Sequence, residues 1–258
     1  MNALPRIIAH RGDSAHAPEN TLAAIKMALD AGAEGVEFDV RLSKDGVPVV
    51  IHDETLKRTG GIDKHISELT FAELGKLDVG SWFNKKFPTK ANESLSEECV
   101  PSLQNVLDIL SSFEGRIYVE MKCTPADIVA LPKAVCSVLK GQKERGRFVV
   151  KSFNLGSLPV VRSLLPDVNI AALFDLSIET LLRRKSSIPF LAFEFCANEV
   201  SLHHSLATPK LCRILSEVGM PITVWTVDKK SWLEKARKFG VSAIITNDPA
   251  KMLGSRKG

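Results

Sequence analysis

Eight short apolar runs, separated by stretches of helical period, constrain this chain more than any other feature. The runs are "RIIAH" (6–10), "GVEFDVRL" (35–42), "RIYVEMK" (116–122), "RFVVKS" (147–152), "VNIAALF" (168–174), "FLAFEFC" (190–196), "PITVWTV" (221–227) and "SAIITN" (242–247). Strand-like runs alternating with amphipathic helical stretches are the pattern of βα units around a parallel sheet. Eight such units in 258 residues predict an α/β fold, a (β/α)₈ TIM barrel forming one domain over 1–258. The helical stretches repeat one design. In "ENTLAAIKMALDAG", Leu22, Ile25, Ala28 and Leu29 keep helical spacing, "APEN" supplies a proline and an acidic first turn, and Gly32 provides a stop. Residues 54–100 break the alternation, with many turn formers and no strong core strand. A connection this long predicts a small inserted subdomain after the second strand.

Composition excludes several classes. An apolar fraction of 45% and a charged fraction of 25% are those of an ordinary globular protein. The net charge of +4 is carried in short clusters, Lys85-Lys86, Arg183-Arg184-Lys185, Lys229-Lys230 and Arg256-Lys257. None is interleaved with aromatics as a nucleic-acid groove requires, so no nucleic-acid partner is expected. A mild positive bias does suit an anionic substrate. The five cysteines are scattered without a Cys-x-x-Cys pair, which signals neither a disulfide framework nor a zinc site. No signal-like leader and no apolar run of membrane-spanning length is present, so a cytoplasmic protein without membrane insertion is expected.

Alternation places the chemistry. Residues i and i+2 of a strand share a face, so Glu37 and Asp39 point one way while Val36, Phe38 and Val40 point the other. Tyr118, Glu120 and Lys122 share a face in the same manner, and His10 ends the first run opposite Ile7 and Ala9. Each polar group lies near the C-terminal end of its strand, where barrel enzymes carry their active sites. Burying three carboxylates at one rim without a cation is very costly. Glu37, Asp39 and Glu120, with no thiolate among them, suit one hard divalent cation, Mg²⁺, Ca²⁺ or Mn²⁺. Arg11 and Lys122 add positive charge that suits a phosphate. His10 and His52 can supply an acid and a base. "SKDG" is a tight turn that returns His52 to the rim, and Asp53 is expected to orient a neighbour.

The stretches "AHRGDSAHAPENT", "EFDVRLSKDGVPVVIHDETLKRTG", "DVGSWF", "VPSL", "VEMK" and "VWTVD", in order from about Ile7 to Asp248, together resemble the glycerophosphodiester phosphodiesterase family, in its small cytosolic bacterial type. The resemblance implies that His10 and His52 are the general acid/base pair, that Glu37, Asp39 and Glu120 are the metal carboxylates, and that Arg11 and Lys122 contact phosphate. It implies a small-molecule glycerophosphodiester, such as glycerophosphocholine or glycerophosphoethanolamine, cleaved to glycerol 3-phosphate and an alcohol. In related enzymes the free hydroxyl beside the phosphodiester attacks first, giving a cyclic phosphate that water then opens. Which histidine plays which part is left open. The chain departs from the family pattern at Asp13, where glycine is usual, at Gln104, where an acidic residue is common, and at Asn247 of "TNDP", where "TD-x-P" is frequent.

Weaker signals complete the expectation. Glu19 and Asn20 either hold Arg11 or a neighbour, or open a helix. Trp225 is expected to pack against the substrate. Trp82 and Phe83 are expected to hold down the inserted segment, and His203-His204 to be structural. Glu194 is expected to face the barrel interior, as a supporting group or as the partner of Lys151. Two other functions fit the same residues, a lysophospholipase D acting on lysolipids and a non-catalytic phosphodiester-binding barrel.

Overall fold

The alternation of apolar runs becomes a closed barrel. The computed structural model describes residues 3–176 and 187–256, so the basic residues Arg183-Arg184-Lys185 and Lys257 lie outside the described residues. The strands are β1 (Arg6–His10), β2 (Gly35–Leu42), β3 (Pro48–Val50), β4 (Arg116–Met121), β5 (Phe148–Ser152), β6 (Asn169–Phe174), β7 (Glu199–His203), β8 (Ile222–Trp225) and β9 (Ala243–Thr246). All but β3 run parallel, and the sheet closes because β1 pairs with both β2 and β9. The helices are α1 (Leu22–Asp30), α2 (Phe71–Leu74), α3 (Ser81–Lys86), α4 (Leu103–Ile109), α5 (Ala130–Lys140), α6 (Leu158–Leu164), α7 (Ile188–Glu194), α8 (Pro209–Glu217), α9 (Ser231–Phe239) and α10 (Pro249–Gly254).

Two apolar layers follow from the period of two. Val36, Phe38 and Val40 of β2 and Ile117, Val119 and Met121 of β4 belong to the large core shared with the helices. Ile8, Tyr118, Val149, Ala171, Ala243 and Ile245 fill the barrel interior. Polar groups complete that interior: the buried Glu199 carboxylate accepts from Thr223 Oγ1 at 2.5 Å and from Arg116 Nη2 at 3.1 Å.

Two local expectations change. Helix α1 begins later than "APEN" suggested, because Thr21 is its N-cap and accepts from Ala24 N at 3.2 Å, so Glu19 and Asn20 stay in the loop. The run 190–196 is not the sixth barrel strand. It lies largely in α7, with Pro189 in the first turn, Ile188, Pro189 and Ala192 buried, and Phe190 and Phe193 exposed. A short apolar run fits both periods, and the proline favours a helix start. The strand follows as β7, where Val200 and Leu202 face the core. Glu194 is therefore exposed on a helix, and the interior carboxylate of this part of the chain is Glu199.

The β2–β3 hairpin positions the other half of the rim. Gly46 takes φ +79° in the turn, Val40 pairs with Val50, and Ile51 N donates to Asp39 O at 3.0 Å. The following segment packs its own apolar cluster, including Ile51, Leu56, Ile66, Leu74 and Val79. It is pinned to the barrel by Phe83 and Leu95, which pack on Ala17 and Ala24. Phe83 thus has the anchoring role expected for it.

Gly12 and Gly46 separate backbone strain from crowding. Both hold left-handed φ, but a Cβ on Gly12 would lie 2.5 Å from the Ala24 carbonyl carbon, whereas one on Gly46 meets nothing within 4 Å. Gly46→Ala is expected to cost about 1–2 kcal/mol, and Gly12→Ala a further ~1–3 kcal/mol for overpacking. Urea midpoints measure both, and equal losses would show that α1 yields to the added methyl.

Candidate active site

Glu37 and Asp39 on β2 and Glu120 on the adjacent β4 converge inside the upper barrel, each with a carboxylate oxygen within 4.8 Å of the others. All three are buried, at 0%, 1% and 5% exposure, which would be untenable without compensation. Three cations supply it. Arg11 Nε lies 3.1 Å from Asp39 Oδ2, and Lys122 Nζ contacts Asp39 Oδ1 at 3.2 Å and also Glu120 Oε1. Lys151 Nζ sits 2.8 Å from Glu37 Oε1 and 3.2 Å from Glu120 Oε2. Burial alone would push Asp39 up, but Lys122 and Arg11 outweigh it and hold the carboxyl well below its ordinary value. Burial likewise opposes ionisation of Glu120, and Lys151 and Lys122 overcome it to lower its pKa.

The loop after β1 is shaped to serve this cluster. Arg11 adopts φ 56° and Asn20 φ 60°. Arg11 thereby donates its main-chain N–H to Glu37 Oε2 at 3.1 Å while its side chain turns to Asp39 and Glu19, the latter at 2.6 Å. Asn20 clasps Asp39 twice, donating Nδ2 to Oδ2 at 2.9 Å and accepting from the Asp39 main-chain N–H at 3.1 Å. Left-handed non-glycine residues cost energy and gather at functional sites.

The two rim histidines each have Nδ1 engaged. His52 Nδ1 lies 2.7 Å from Asp53 Oδ1, and a carboxylate can only accept, so Nδ1 carries the hydrogen and Nε2 is free. Asp53 is held in turn by Arg58 Nε at 2.6 Å, and Arg58 spans to Glu19 with contacts of 2.7 and 3.0 Å. His10 Nδ1 lies 2.7 Å from Asn247 Oδ1. The amide orientation is fixed because Asn247 Nδ2 donates to Asp228 Oδ2 at 2.7 Å, so His10 Nδ1 donates to the Asn247 oxygen and Nε2 lies 4.0 Å from Glu37 Oε2. Burial lowers the His10 pKa against the pull of Glu37, which favours the neutral ring.

Comparison with known proteins gives this arrangement a family. The sequence model of the glycerophosphoryl diester phosphodiesterase family matches residues 10–251, a span that contains every residue of the cluster. The chain belongs to the glycerophosphoryl diester phosphodiesterase family. A glycerophosphodiester phosphodiesterase of Caldanaerobacter subterraneus subsp. tengcongensis is 34% identical over 98% of both chains. A phosphodiesterase of Oleispira antarctica, solved in complex with the product sn-glycerol-3-phosphate, superposes with a TM-score of 0.88 at 27% identity, covering 99% of this chain and 98% of that one. The glycerophosphodiester phosphodiesterase of Thermotoga maritima gives a TM-score of 0.74 at 26% identity over 100% of both chains. The enzyme is a phosphoric diester hydrolase, and its carboxylate cluster has an all-oxygen donor set that could hold a hard divalent ion.

Most of the residues proposed for the site lie around the carboxylate cluster. Arg11 and Lys122 lie beside the carboxylates, and Trp225 ends β8 half-buried, packed edge-on against Phe153 at 5.6 Å and His203 at 5.2 Å. The Phe153 ring in turn lies 5.8 Å from Lys122 Nζ. Glu19 holds Arg11 and Asn20 holds Asp39, which answers the alternative left open for them. Gln104 bonds Asp108 on the exposed face of α4, away from the cluster's contacts. Sequence reasoning missed Lys151 as a partner of Glu37, missed Arg58, and met Asn247 only as a departure from a pattern. The one signal for Lys151 was a lysine inside an apolar strand.

Arg58 and His52 draw the Asp53 carboxyl down to about 2, although its partial burial works the other way. A carboxylate depressed in the folded state adds stability that is complete above its unfolded pKa, about 3.9, and is lost as pH falls through the folded value. The stability gap between wild type and Asp53→Asn, measured by urea midpoints, is therefore expected to be constant above about pH 5 and to close between about pH 4 and pH 2. A gap unchanged across that window would remove the Asp53 carboxylate from the folding balance.

Proposed function

We propose that this phosphodiesterase hydrolyses glycerophosphodiesters such as glycerophosphocholine and glycerophosphoethanolamine to sn-glycerol 3-phosphate and the free alcohol. The proposed acid/base pair is His10 and His52, and Glu37, Asp39 and Glu120 are the proposed ligands of one divalent cation, Mg²⁺, Ca²⁺ or Mn²⁺. The observation that carries the reading is the pair of rings with free Nε2 atoms beside a buried carboxylate cluster. When bound, such a cation supplies charge stabilisation at the phosphoryl oxygens and eases loss of a hydroxyl proton.

The chain's own groups do the rest. One histidine Nε2 takes the proton of the glycerol hydroxyl as its oxygen bonds to phosphorus, and the other gives a proton to the alcohol oxygen as that P–O bond breaks. The resulting cyclic phosphate is opened by water with the two proton transfers reversed, which restores both rings. Asp53 and Asn247 hold the two imidazoles through Nδ1, which leaves Nε2 for proton transfer. Arg11 and Lys122 are placed to offset the charge that develops on phosphorus-bound oxygens. Trp225 is the proposed apolar wall for the substrate.

A cleft of about 440 Å³ adjoins the site, lined by Arg41, Ser43, Glu54, Ile66, Thr124 and Asp127. Its wall residue Arg41 donates Nε to the main-chain carbonyl of His52 at 2.7 Å. Glu54 and Asp127 put negative charge on its wall, which favours a departing alcohol that carries an ammonium group.

The test is glycerol 3-phosphate release from glycerophosphocholine by purified enzyme with Mg²⁺, Ca²⁺ or Mn²⁺, and with EDTA. Release is expected to need the ion and to disappear in Glu37→Ala. His10→Ala and His52→Ala are each expected to lose about 10²–10⁴ in kcat. Turnover that survives both histidine replacements would defeat the mechanism, and tight phosphodiester binding with no turnover in any ion would make the barrel a binding module.

A further inference from the structure

We infer that Lys151 is a built-in counter-charge that weakens the site's hold on its divalent cation and strengthens its hold on the anionic diester. The inference rests on the reading that the carboxylate cluster carries that cation. Lys151 belongs to β5, in register with Glu120, and its side chain enters the barrel among apolar neighbours. Its ammonium bridges Glu37 Oε1 at 2.8 Å and Glu120 Oε2 at 3.2 Å.

The three cations of the site are not equivalent. The Arg11 and Lys122 side chains keep 18% and 15% of their surface exposed, whereas that of Lys151 keeps 2%. The first two reach the rim and can turn toward a bound phosphate. Lys151 has no such route and acts as a fixed charge. Its ammonium lies 2.8 Å from Glu37 Oε1, and a carboxylate oxygen has a second lone pair for another partner.

Charge counting gives the direction of the effect. Three carboxylates face three cations, so the cluster is neutral when empty and carries two positive charges once a divalent ion binds. Without Lys151 the empty cluster would be negative and the loaded one would carry a single positive charge. Buried charges are weakly screened, so a neutral residue at 151 improves cation binding and impairs anion binding. A lysine that served only to hold the strands together would, when removed, impair both.

The experiment uses metal-stripped enzyme titrated calorimetrically with Ca²⁺ and Mg²⁺, followed by titration of the loaded enzyme with sn-glycerol 3-phosphate. Lys151→Met is expected to bind the ion about tenfold more tightly and glycerol 3-phosphate about tenfold more weakly, with KM for glycerophosphocholine rising more than kcat falls. Lys151→Arg keeps the charge and is expected to retain wild-type values. Should the methionine variant lose its native near-ultraviolet circular dichroism, Lys151→Gln serves with the same expectation. Affinities that fall together, or that both stay unchanged, would overturn the role of Lys151. Wild-type enzyme that binds neither ion, nor Mn²⁺ titrated in the same way, would instead overturn the metal reading itself.

Discussion

Charge compensation inside the barrel is the constraint on which this site depends. Glu37, Asp39 and Glu120 are excluded from water by the same alternation that gives the barrel its apolar outer face, and each has a cation against it, which for Asp39 and Glu120 outweighs burial and keeps the carboxyl below its ordinary value. Those cations come from separate places: Arg11 from the loop after β1, Lys122 from just past the end of β4 and Lys151 from the C-terminal half of β5. Removing one member of a buried set of this kind strands its partner, at a cost of about 3–5 kcal/mol. The cluster therefore adds side-chain cross-links to strands that the barrel ladder already pairs, β2 with β4 and β4 with β5.

A second ring of contacts carries the same logic outward. Glu19 accepts from both Arg11 and Arg58, and Arg58 also holds Asp53, so the loop after β1, the insertion and His52 form one chain of charge-assisted hydrogen bonds. On the opposite flank Asp228 accepts from Thr246, from the Asn247 main chain and from the Asn247 side chain, which leaves the Asn247 carbonyl oxygen to face His10. The two imidazoles thus reach similar poses through different supports, one anionic and one neutral.

Much of this was legible in the sequence where a single period governed the residue. Glu37 with Asp39 and Glu120 with Lys122 are i, i+2 pairs within apolar strands, and their shared face follows directly. The hairpin turn at Asp45-Gly46 was equally plain. Legibility failed where two periods competed or where a partner was distant in the chain. "FLAFEFC" satisfies a strand pattern and a helix pattern alike, and only its position after Pro189 and before the true strand β7 decides for the helix. Lys151 lies 114 residues from Glu37 in numbering, and Asn247 lies 237 from His10. Such pairings depend on which strands close the barrel, and no local rule contains that information.

The β2–β3 hairpin has a consequence for how this enzyme can diversify. Because Val50 is laddered to Val40, and Ile51 to Asp39, the segment that carries His52 is fastened to the strand that carries two of the three carboxylates. Spacing between the proposed proton-transfer group and the carboxylates is fixed by a sheet ladder, one residue away from where the chain departs into the insertion. Beyond Arg58, which holds Asp53, the segment lies outside that ladder and can change character without altering that spacing. The architecture fixes the distance between the two halves of the site by backbone pairing, and leaves the segment beyond Arg58 outside that ruler.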